Sequence, residues 1–313
     1  MKVEFTAAQD ALRKELRAYF DELMTPALKA ECDEAMGEGG GPLWREALKK
    51  MGKDGWIGVG WPKELGGRGM SPIEQFIFVE EVMRAGYPFP FLTTESVGPQ
   101  LAEHGNERQK REIVPKILAG ECLIAIGYSE PGAGTDLASL KTSAVKDGDG
   151  WLINGQKMWT SLAHFCDYVW LACRTDPDAA KPHKGISMFM VPTSDPGWSC
   201  SPVITLGEVR TNATFYDNIR VPEEAMGLVN FGPTAEMFNN IVRWAQTLDL
   251  PTGGKLIDEP WVQINLAKVR AGVEALKLVC YKQAWAMTEG NLEMADASAA
   301  KVYGSEFFIE VYR

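Results

Sequence analysis

The chain has 313 residues, of which 45% are hydrophobic, and a formal net charge of −10. This length and composition allow two or three packed units with buried cores. The acidic balance argues against a nucleic-acid-binding surface, and the lack of a long apolar run argues against membrane insertion. Six cysteines without a Cys-x-x-Cys pair predict reduced, buried thiols in a cytoplasmic protein. The three histidines have no metal-ligand spacing, which disfavours a zinc enzyme.

Helical signals dominate residues 1–121, which we predict to form an N-terminal helical domain. Thr6 and Gln9 make a capping box, and Ser71 with Glu74 gives the same signal before a second helix. A further helix is predicted from Glu107 to Ala119. The first helix is expected to bury one apolar face, made by Leu12, Leu16, Tyr19 and Leu23.

Strand signals begin near Glu121. The predicted strands are Leu123 to Tyr128, Trp151 to Ile153, Tyr168 to Cys173, Ile186 to Val191 and Ala213 to Tyr216. Asp149-Gly150 and Asn154-Gly155 are typical of hairpin turns. Short strands with frequent turns predict a small barrel or sandwich in a middle domain over residues 122–229.

The helical period returns after Pro222 and predicts a C-terminal helical domain over residues 230–313. One predicted helix has apolar residues at 3-4-3-4 spacing, which is typical of an antiparallel bundle. These residues are Leu266, Val269, Val273, Leu276 and Cys280. The order of helices, then strands, then helices gives an α+β class that is mostly α, and it excludes a βαβ dinucleotide fold.

The segment from Ser129 to Asp136 holds two closely spaced glycines after a buried strand. Glycines let backbone N–H groups approach an anion, and Ser129 and Thr135 add hydroxyl donors. On these residues alone, an ordinary glycine-rich turn is the better interpretation. The segment lacks the Lys-Ser/Thr ending of a Walker A loop and the third glycine of a Rossmann loop.

The segment from Asn154 to Ser161 places Trp159, Thr160 and Ser161 at the end of a strand. The indole ring could pack against a planar cofactor, and a hydroxyl two residues on lies on the same face of a strand. A core tryptophan beside two ordinary hydroxyls is the alternative interpretation.

Together the two segments resemble those of acyl-CoA dehydrogenases. That family has a Thr/Ser-Glu-Pro-Gly-Ala-Gly-Ser/Thr-Asp loop, followed by a Lys-x-Trp-Ile/Thr-Thr/Ser strand. The resemblance covers nearly the whole chain in the family's order, which favours the functional interpretation of both segments. The other matching segments are Gly55-Trp56, Trp61 to Glu64, Gly66-Gly67, Gln109 to Gly120, Gly207, Arg210, Arg220 to Pro222, Ala297 to Lys301 and Ser305-Glu306.

The resemblance implies the acyl-CoA dehydrogenase fold, with an N-terminal helical domain, a middle β-barrel or sandwich and a C-terminal four-helix bundle. It implies FAD between the middle domain and the C-terminal helices. Carried over by position, Ser129 hydrogen-bonds the flavin, Trp159 covers it and Ser161 hydrogen-bonds its N5 nitrogen. The other implied cofactor-binding residues are Ile126, Tyr128, Gly134, Thr135 and Thr160. Thr135 is also implied to lie near the substrate's pantetheine arm.

The implied reaction is the α,β-dehydrogenation of an acyl-CoA thioester to a trans-2-enoyl-CoA. In the family a glutamate removes the α-proton, which a thioester acidifies only modestly. The β-hydrogen leaves as hydride to the flavin. Electrons then pass to an electron-transfer flavoprotein or a similar acceptor.

The family's catalytic glutamate has no counterpart that we can assign. In the family it lies late in the C-terminal domain, or on a helix soon after the Val-Pro that ends the middle domain. Here Val229-Asn230 continues directly into Phe231, and Glu223, Glu224 and Glu236 have the pattern of surface carboxylates. We hypothesise that segments after Asn230, near Asn291 and after Arg313 are missing, an idea that a contiguous gene would disprove.

Gly254 to Gln263 stands where the family has an Arg-x-x-Phe-Gly motif. This variant, with Lys157 to Ser161, resembles an actinobacterial subfamily that acts on CoA thioesters of steroid side chains as α2β2 heterotetramers. We therefore expect a steroid side-chain acyl-CoA as substrate, and a homo- or heterotetramer. The competing hypotheses are a non-catalytic FAD-binding or scaffold subunit of a heteromeric dehydrogenase, and an oxidase on the same fold.

Overall fold

The computed structural model describes residues 5–35, 37–134, 136–180, 182–206, 209–221, 255, 258–290, 295, 298–299, 302–304 and 306–307. The chain divides into two compact units. The first comprises Met1–Ala30, Gly69–Pro88 and Phe231–Arg313, and the second comprises Glu31–Arg68 and Phe89–Asn230.

The described α-helices are α1 (Ala7–Leu23), α2 (Pro26–Glu34), α3 (Pro42–Lys53), α4 (Pro72–Ala85), α5 (Gly98–His104), α6 (Glu107–Glu112), α7 (Val114–Leu118) and α8 (Pro260–Thr288). None of these helices is both long and apolar enough to cross a membrane. The strands are β1 (Ile124–Gly127), β2 (Ser143–Asp147), β3 (Gly150–Lys157), β4 (Tyr168–Arg174), β5 (Ile186–Pro192), β6 (Trp198–Ile204) and β7 (Arg210–Val221).

Helices α1, α4 and α8 pack in the first unit, and both predicted capping boxes are confirmed. The buried face of α1 contains Phe20 instead of the predicted Tyr19, because i, i+4 spacing keeps Phe20 in line with Leu12 and Leu16. Glu81 on α4 is fully buried and accepts two hydrogen bonds from Arg17, of 3.0 and 2.6 Å. This charge-assisted pair joins α1 to α4.

The apolar pattern of α8 agrees with the prediction. Val273 is buried, and the other four predicted positions are half-buried. Tyr281 on the same helix donates a 2.9 Å hydrogen bond to Glu80 Oε2, and its ring lies 4.7 Å from that of Phe76. These contacts join α8 to α4. The second predicted C-terminal helix, with Met237 to Leu248, lies outside the described residues, so the four-helix bundle stays a prediction.

The second unit is built on one connected seven-stranded sheet. β1 and β5 flank β4, and β2, β3, β7 and β6 follow in that order. The two parts meet at a single parallel residue pair, Ser143 with Arg174. All five predicted strands are present, but β2 and β6 were not predicted.

The hairpin prediction at Asn154-Gly155 is wrong. Gly155 lies inside β3, at a shift in its register with β7, and has a φ of +151°. A Cβ there would lie 2.7 Å from Thr142 Cα, so the close approach of the Thr142 backbone requires glycine. The other predicted turn is close to correct, because β2 and β3 pair from Asp147 with Gly150 onward.

The predicted helix from Glu107 to Ala119 is interrupted at Ile113, and α6 and α7 replace it. Pro115 lies in the first turn of α7. Backbone N–H groups in the first turn make no hydrogen bond within the helix, so a proline is tolerated there. Nearby, the Thr93 hydroxyl donates to the Ile124 carbonyl (3.1 Å) and accepts from the Ile124 N–H (2.8 Å). This reciprocal pair fixes the start of β1, the strand that leads into the candidate site.

Candidate active site

The two predicted segments meet beyond the ends of β1 and β3. The Met158 N–H donates a 2.8 Å hydrogen bond to the Ser129 carbonyl. The Lys157 ammonium donates to the Tyr128 carbonyl at 3.0 Å. The glycine-rich loop and the tryptophan-bearing segment therefore form one continuous site.

A buried ion pair holds the loop after β1 against the end of β3. Lys157 Nζ lies 2.8 Å from Glu130 Oε1, and the two side chains are 0% and 8% exposed. Glu130 also accepts hydrogen bonds from the backbone N–H groups of Lys141 (2.7 Å) and Thr142 (2.9 Å). The Glu130 carboxylate thereby connects β3 with the chain that enters β2.

This network keeps Glu130 ionised. Burial alone would raise the pKa of Glu130, but hydrogen bonds from Lys157, Thr142 and the two backbone N–H groups outweigh it and leave the pKa below its ordinary value. Glu130 is therefore a fixed negative charge paired with Lys157, and it is poorly suited to be the base of the reaction.

Trp159 has a rare backbone conformation, with a φ of +66°, and its side chain is 55% exposed. A bulky residue at positive φ is a steric outlier, which persists only when its surroundings impose it. The two neighbours of Trp159 impose this conformation because both are held by backbone hydrogen bonds. The Met158 N–H donates to the Ser129 carbonyl, and the Thr160 N–H donates to the Asn212 carbonyl at 2.9 Å. The indole ring is thus held out from the sheet surface.

Thr160 is fully buried. Its hydroxyl lies 3.2 Å from that of Thr214, which lies 3.0 Å from the Tyr216 hydroxyl. Asn212 and Thr160 are joined by two hydrogen bonds. Besides accepting from the Thr160 N–H, Asn212 donates from its side-chain amide to the Thr160 carbonyl at 3.0 Å. Thr160 therefore lies in the interior, with its hydroxyl bonded to that of Thr214.

Ser161 contacts a second residue of β7. Its hydroxyl lies 3.3 Å from that of Thr211, which is 6% exposed, and either oxygen can be the donor. The Ser161 N–H donates to the Trp159 carbonyl at 3.0 Å. Ser161 as a whole is half-buried.

Asn212 also contacts a polar pair formed by His164 and Glu38. The Asn212 side-chain nitrogen is 3.2 Å from His164 Nδ1, and His164 Nε2 is 3.7 Å from Glu38 Oε2. Burial, together with the charge of Arg210, lowers the pKa of His164 to about 4. Burial raises the pKa of Glu38, and the charge and backbone N–H of Arg210 oppose that rise. His164 is thus neutral at pH 7 and supports the segment by hydrogen bonding.

The remaining predicted site residues lie on the approach to the loop. Ile126 is half-buried in β1, and Tyr128 and Ser129 are half-buried just after it. Gly134 is exposed, and a Cβ there would meet nothing within 4 Å. Thr135 lies outside the described residues, as do Glu223, Glu224 and Glu236, and only parts of Gly254 to Gln263 are described.

The arrangement fits a planar cofactor that also carries phosphate. An exposed indole ring offers a flat apolar surface, and the Ser161 hydroxyl beside it can donate or accept. The open space above Gly132 and Gly134 leaves room for a group close to the backbone. The assignment of these residues to a flavin site stays a prediction.

Several residues that shape the site were missed from the sequence. They are Glu38, Lys157, His164, Thr211 and Asn212. Lys157 had a usable signal, because it follows the inward-facing Trp151 and Ile153 at period two, and a charge at such a position implies a buried partner. The others act through contacts between distant segments, which periodicity cannot reveal.

Three family models match the chain. The acyl-CoA dehydrogenase N-terminal domain matches residues 6–121, the middle domain 125–218 and the C-terminal domain 224–313. The chain belongs to the acyl-CoA dehydrogenase family. Members of this family are FAD-dependent oxidoreductases acting on acyl-CoA thioesters, so the predicted family, reaction type and cofactor are confirmed. The scaffold alternative is not favoured.

Similar relatives in this family include two acyl-CoA dehydrogenases from Mycobacterium tuberculosis. Acyl-CoA dehydrogenase FadE26 is 45% identical over 339 residues, covering 100% of this chain and 85% of the relative. FadE29 is 44% identical over 329 residues, covering 98% and 83%.

Two solved structures are similar to this acyl-CoA dehydrogenase along its length. The structure of the ChsE4-ChsE5 complex from Mycobacterium tuberculosis has a TM-score of 0.84 and 43% identity, covering 100% of this chain and 84% of that one. A structure described as the Tcur3481-Tcur3483 steroid ACAD has a TM-score of 0.84 and 42% identity, covering 99% and 84%. These similarities support the predicted resemblance to the steroid subfamily.

Proposed function

We propose that this acyl-CoA dehydrogenase oxidises the CoA thioester of a steroid side chain, with the flavin of FAD stacked on Trp159 and its reactive edge at Ser161. The observation that carries the site proposal is the positive φ of Trp159, which the surrounding contacts impose and which leaves the ring exposed. Similarity to a steroid dehydrogenase at 42% identity supports the substrate class.

The other predicted residues have definite places in this proposal. Ser129 hydrogen-bonds the ring, with its backbone fixed by Met158. Ile126 and Tyr128 line the pyrimidine edge, and Gly134 and Thr135 lie at the pyrophosphate, Thr135 also near the pantetheine arm. Thr160 anchors the segment that carries Trp159 to β7, because its hydroxyl is hydrogen-bonded to that of Thr214. This role differs from direct contact with FAD.

When bound, FAD supplies the acceptor for the hydride that leaves the β-carbon. Trp159 covers one face of the ring and excludes water, and Ser161 orients the ring by a hydrogen bond at its N5 atom. The carboxylate that removes the α-proton is proposed to belong to a segment absent from this sequence. The 339 aligned positions of FadE26 exceed the 313 residues of this chain, so that relative has residues without a counterpart here.

We also propose a homo- or heterotetramer. ChsE4 and ChsE5 are two different chains in one complex, which supports an unlike partner. Helix α8 carries exposed large apolar side chains that a partner subunit could cover. They are Trp261, Ile264, Leu278, Trp285 and Met287.

An electron-transfer flavoprotein is the proposed electron acceptor. A 28% identical relative, CarC of Acetobacterium woodii, is described as a subunit of a caffeyl-CoA reductase-Etf complex, which supports this class of acceptor. The cytoplasmic location and the domain division at residues 121 and 229 stay predictions from the sequence.

The decisive experiment is an anaerobic absorbance spectrum of the purified full-length protein, before and after addition of a steroid side-chain CoA thioester. We expect a yellow protein that bleaches on addition of substrate. Bleaching only after a second subunit is supplied would show that the site is shared. Bleaching by a straight-chain acyl-CoA alone would overturn the steroid proposal. A colourless protein would overturn the assignment of Trp159 and Ser161 to a self-sufficient FAD site.

A further inference from the structure

The hydroxyls of Ser161 and Thr211 form a pair whose direction is free to reverse. They lie 3.3 Å apart, and among the described residues neither hydroxyl has another hydrogen-bond partner. The backbone around the pair is fixed, because adjacent Thr160 and Asn212 exchange two hydrogen bonds, of 2.9 and 3.0 Å. The pair is therefore held in place while its two protons can rotate.

The direction of the pair decides what Ser161 can offer to a ligand. A hydroxyl has one proton to donate and two lone pairs to accept. If Thr211 donates to Ser161, the Ser161 proton is free to be donated outward. If Ser161 donates to Thr211, Ser161 offers only lone pairs outward. The same serine can thus act as a donor or as an acceptor, with no movement of its oxygen.

This property matters because the flavin N5 atom changes its hydrogen-bonding character. Oxidised N5 has a lone pair and accepts a hydrogen bond, whereas reduced N5 carries a hydrogen and donates one. A side chain that can only donate a hydrogen bond would stabilise oxidised N5 but would be unfavourable beside reduced N5. Thr160 cannot serve in this way, because it is fully buried and bonded to Thr214.

We propose that Thr211 is a positioning residue that sets the direction of the Ser161 hydroxyl and lets it reverse when the flavin is reduced. Thr211 donates to Ser161 in the oxidised enzyme and accepts from Ser161 in the reduced enzyme. Each oxygen keeps its own proton throughout. This proposal rests on the proposed contact between Ser161 and N5.

The test is the midpoint potential of the bound flavin in Thr211→Val, a nearly isosteric change that removes the hydroxyl. Ser161 can still donate to oxidised N5, but in the reduced enzyme its proton has no acceptor. A hydroxyl proton left without an acceptor disfavours the reduced state. We expect the reduced-to-oxidised ratio to fall about tenfold, which is a potential roughly 30 mV lower for two electrons.

Two variants serve as matched controls. Thr211→Ser keeps the hydroxyl and is expected to retain the wild-type potential. Thr193→Val removes a threonine hydroxyl that donates to the carbonyls of Cys166 and Asp167, and it is also expected to leave the potential unchanged. In a Ser161→Ala background, Thr211→Val should have no further effect, because the residue through which Thr211 acts is gone.

A flavin-loaded Thr211→Val protein with the wild-type potential would overturn the proposal, as would an equal shift in the Ser161→Ala background. A Thr211→Val chain that does not fold would assign Thr211 a structural role and would also overturn it. If Thr211→Val folds with wild-type thermal stability but loses flavin, while Thr211→Ser keeps it, the action of the hydroxyl on the flavin site is supported. A wild-type protein that binds no flavin refutes the self-sufficient FAD site on which the proposal rests.

Discussion

Lys157 and Glu130 form an ion pair in which Nζ lies 2.8 Å from Oε1 and neither side chain is more than 8% exposed. The pair joins the end of β3 to the loop after β1, so it holds together the two segments that carry the candidate site. A buried charge is costly without its partner, because water cannot replace the lost interaction. The stability of this region therefore depends on both residues being present.

Replacing Lys157 with Met is expected to reduce the free energy of unfolding by about 3 kcal/mol, because it leaves the Glu130 carboxylate buried and unpaired. Urea denaturation of the wild type and the variant measures the change. The matched control is Asp147→Asn at the exposed ion pair with Arg220, where the side chains of Asp147 and Arg220 are 45% and 61% exposed. For this variant the free energy of unfolding is expected to fall by less than about 1 kcal/mol. Equal losses in both variants would contradict the structural role of the buried pair.

Replacing His164 with Gln is expected to flatten the dependence of stability on pH between 6.5 and about 4. The folded-state pKa of His164 is lowered to about 4, so the unfolded chain binds more protons in this window. Its contribution to stability is complete above pH 6.5 and is lost as the pH falls towards 4, by on the order of 2 kcal/mol after allowance for solvent screening.

The comparison must allow for the groups that face His164, which are Glu38 and Arg210. Burial raises the pKa of Glu38, which gives a slope of opposite sign in the acidic range. Both residues are retained in His164→Gln, and Glu38→Gln is the control that removes the opposing slope. Denaturation midpoints from pH 4 to 7 that coincide in shape for the wild type and His164→Gln would refute the neutral, buried histidine.

Replacing Trp159 with Gly is expected to separate chain stability from FAD affinity. Glycine adopts positive φ without strain, which favours the apo chain by about 1 kcal/mol. The loss of the ring should release FAD, measured by the fluorescence of the free flavin. Trp159→Phe keeps an aromatic ring and is expected to retain FAD. Unchanged FAD affinity in Trp159→Gly would show that the ring does not cover the flavin.

Replacing Gly134 with Ala tests the proposed phosphate-binding loop. A Cβ at Gly134 would meet no atom within 4 Å, so the thermal stability of the apo chain should not change. If the pyrophosphate lies against this backbone, the methyl group should weaken FAD binding roughly tenfold or more, measured by equilibrium titration. Gly132→Ala, which also meets open space in the apo chain, shows how far along the loop the ligand extends.

Local signals in the sequence predicted the starts of α1, α4 and α6 and five of the seven described strands, because capping residues and short periodicities act between near neighbours. The failure at Asn154-Gly155 has a different origin. That dipeptide favours a turn by itself, but Gly155 is needed because the Thr142 backbone approaches it, a contact with no local signature. The unpredicted β6 pairs with β7 through sequence that alternates irregularly, from Trp198 to Ile204.

The candidate site shows the same division. The motifs predicted Ser129, Trp159 and Ser161 as site residues, because the family resemblance is carried by contiguous residues. They could not reveal that Thr211 and Asn212, about 50 residues further on, hold Ser161 and Thr160 in place. Such partners are set by the register of β3 against β7, which only the folded sheet defines.

The contacts that hold the site span 27 residues from Glu130 to Lys157 and 52 from Thr160 to Asn212. The binding surface therefore does not exist in the unfolded chain, and FAD would bind only after folding. A ligand that binds only the native state stabilises it by mass action, by about 2.7 kcal/mol at a hundredfold excess over Kd. The amount of enzyme that survives proteolysis in a cell should accordingly follow the flavin supply, so that riboflavin starvation lowers the level of the protein itself as well as its activity.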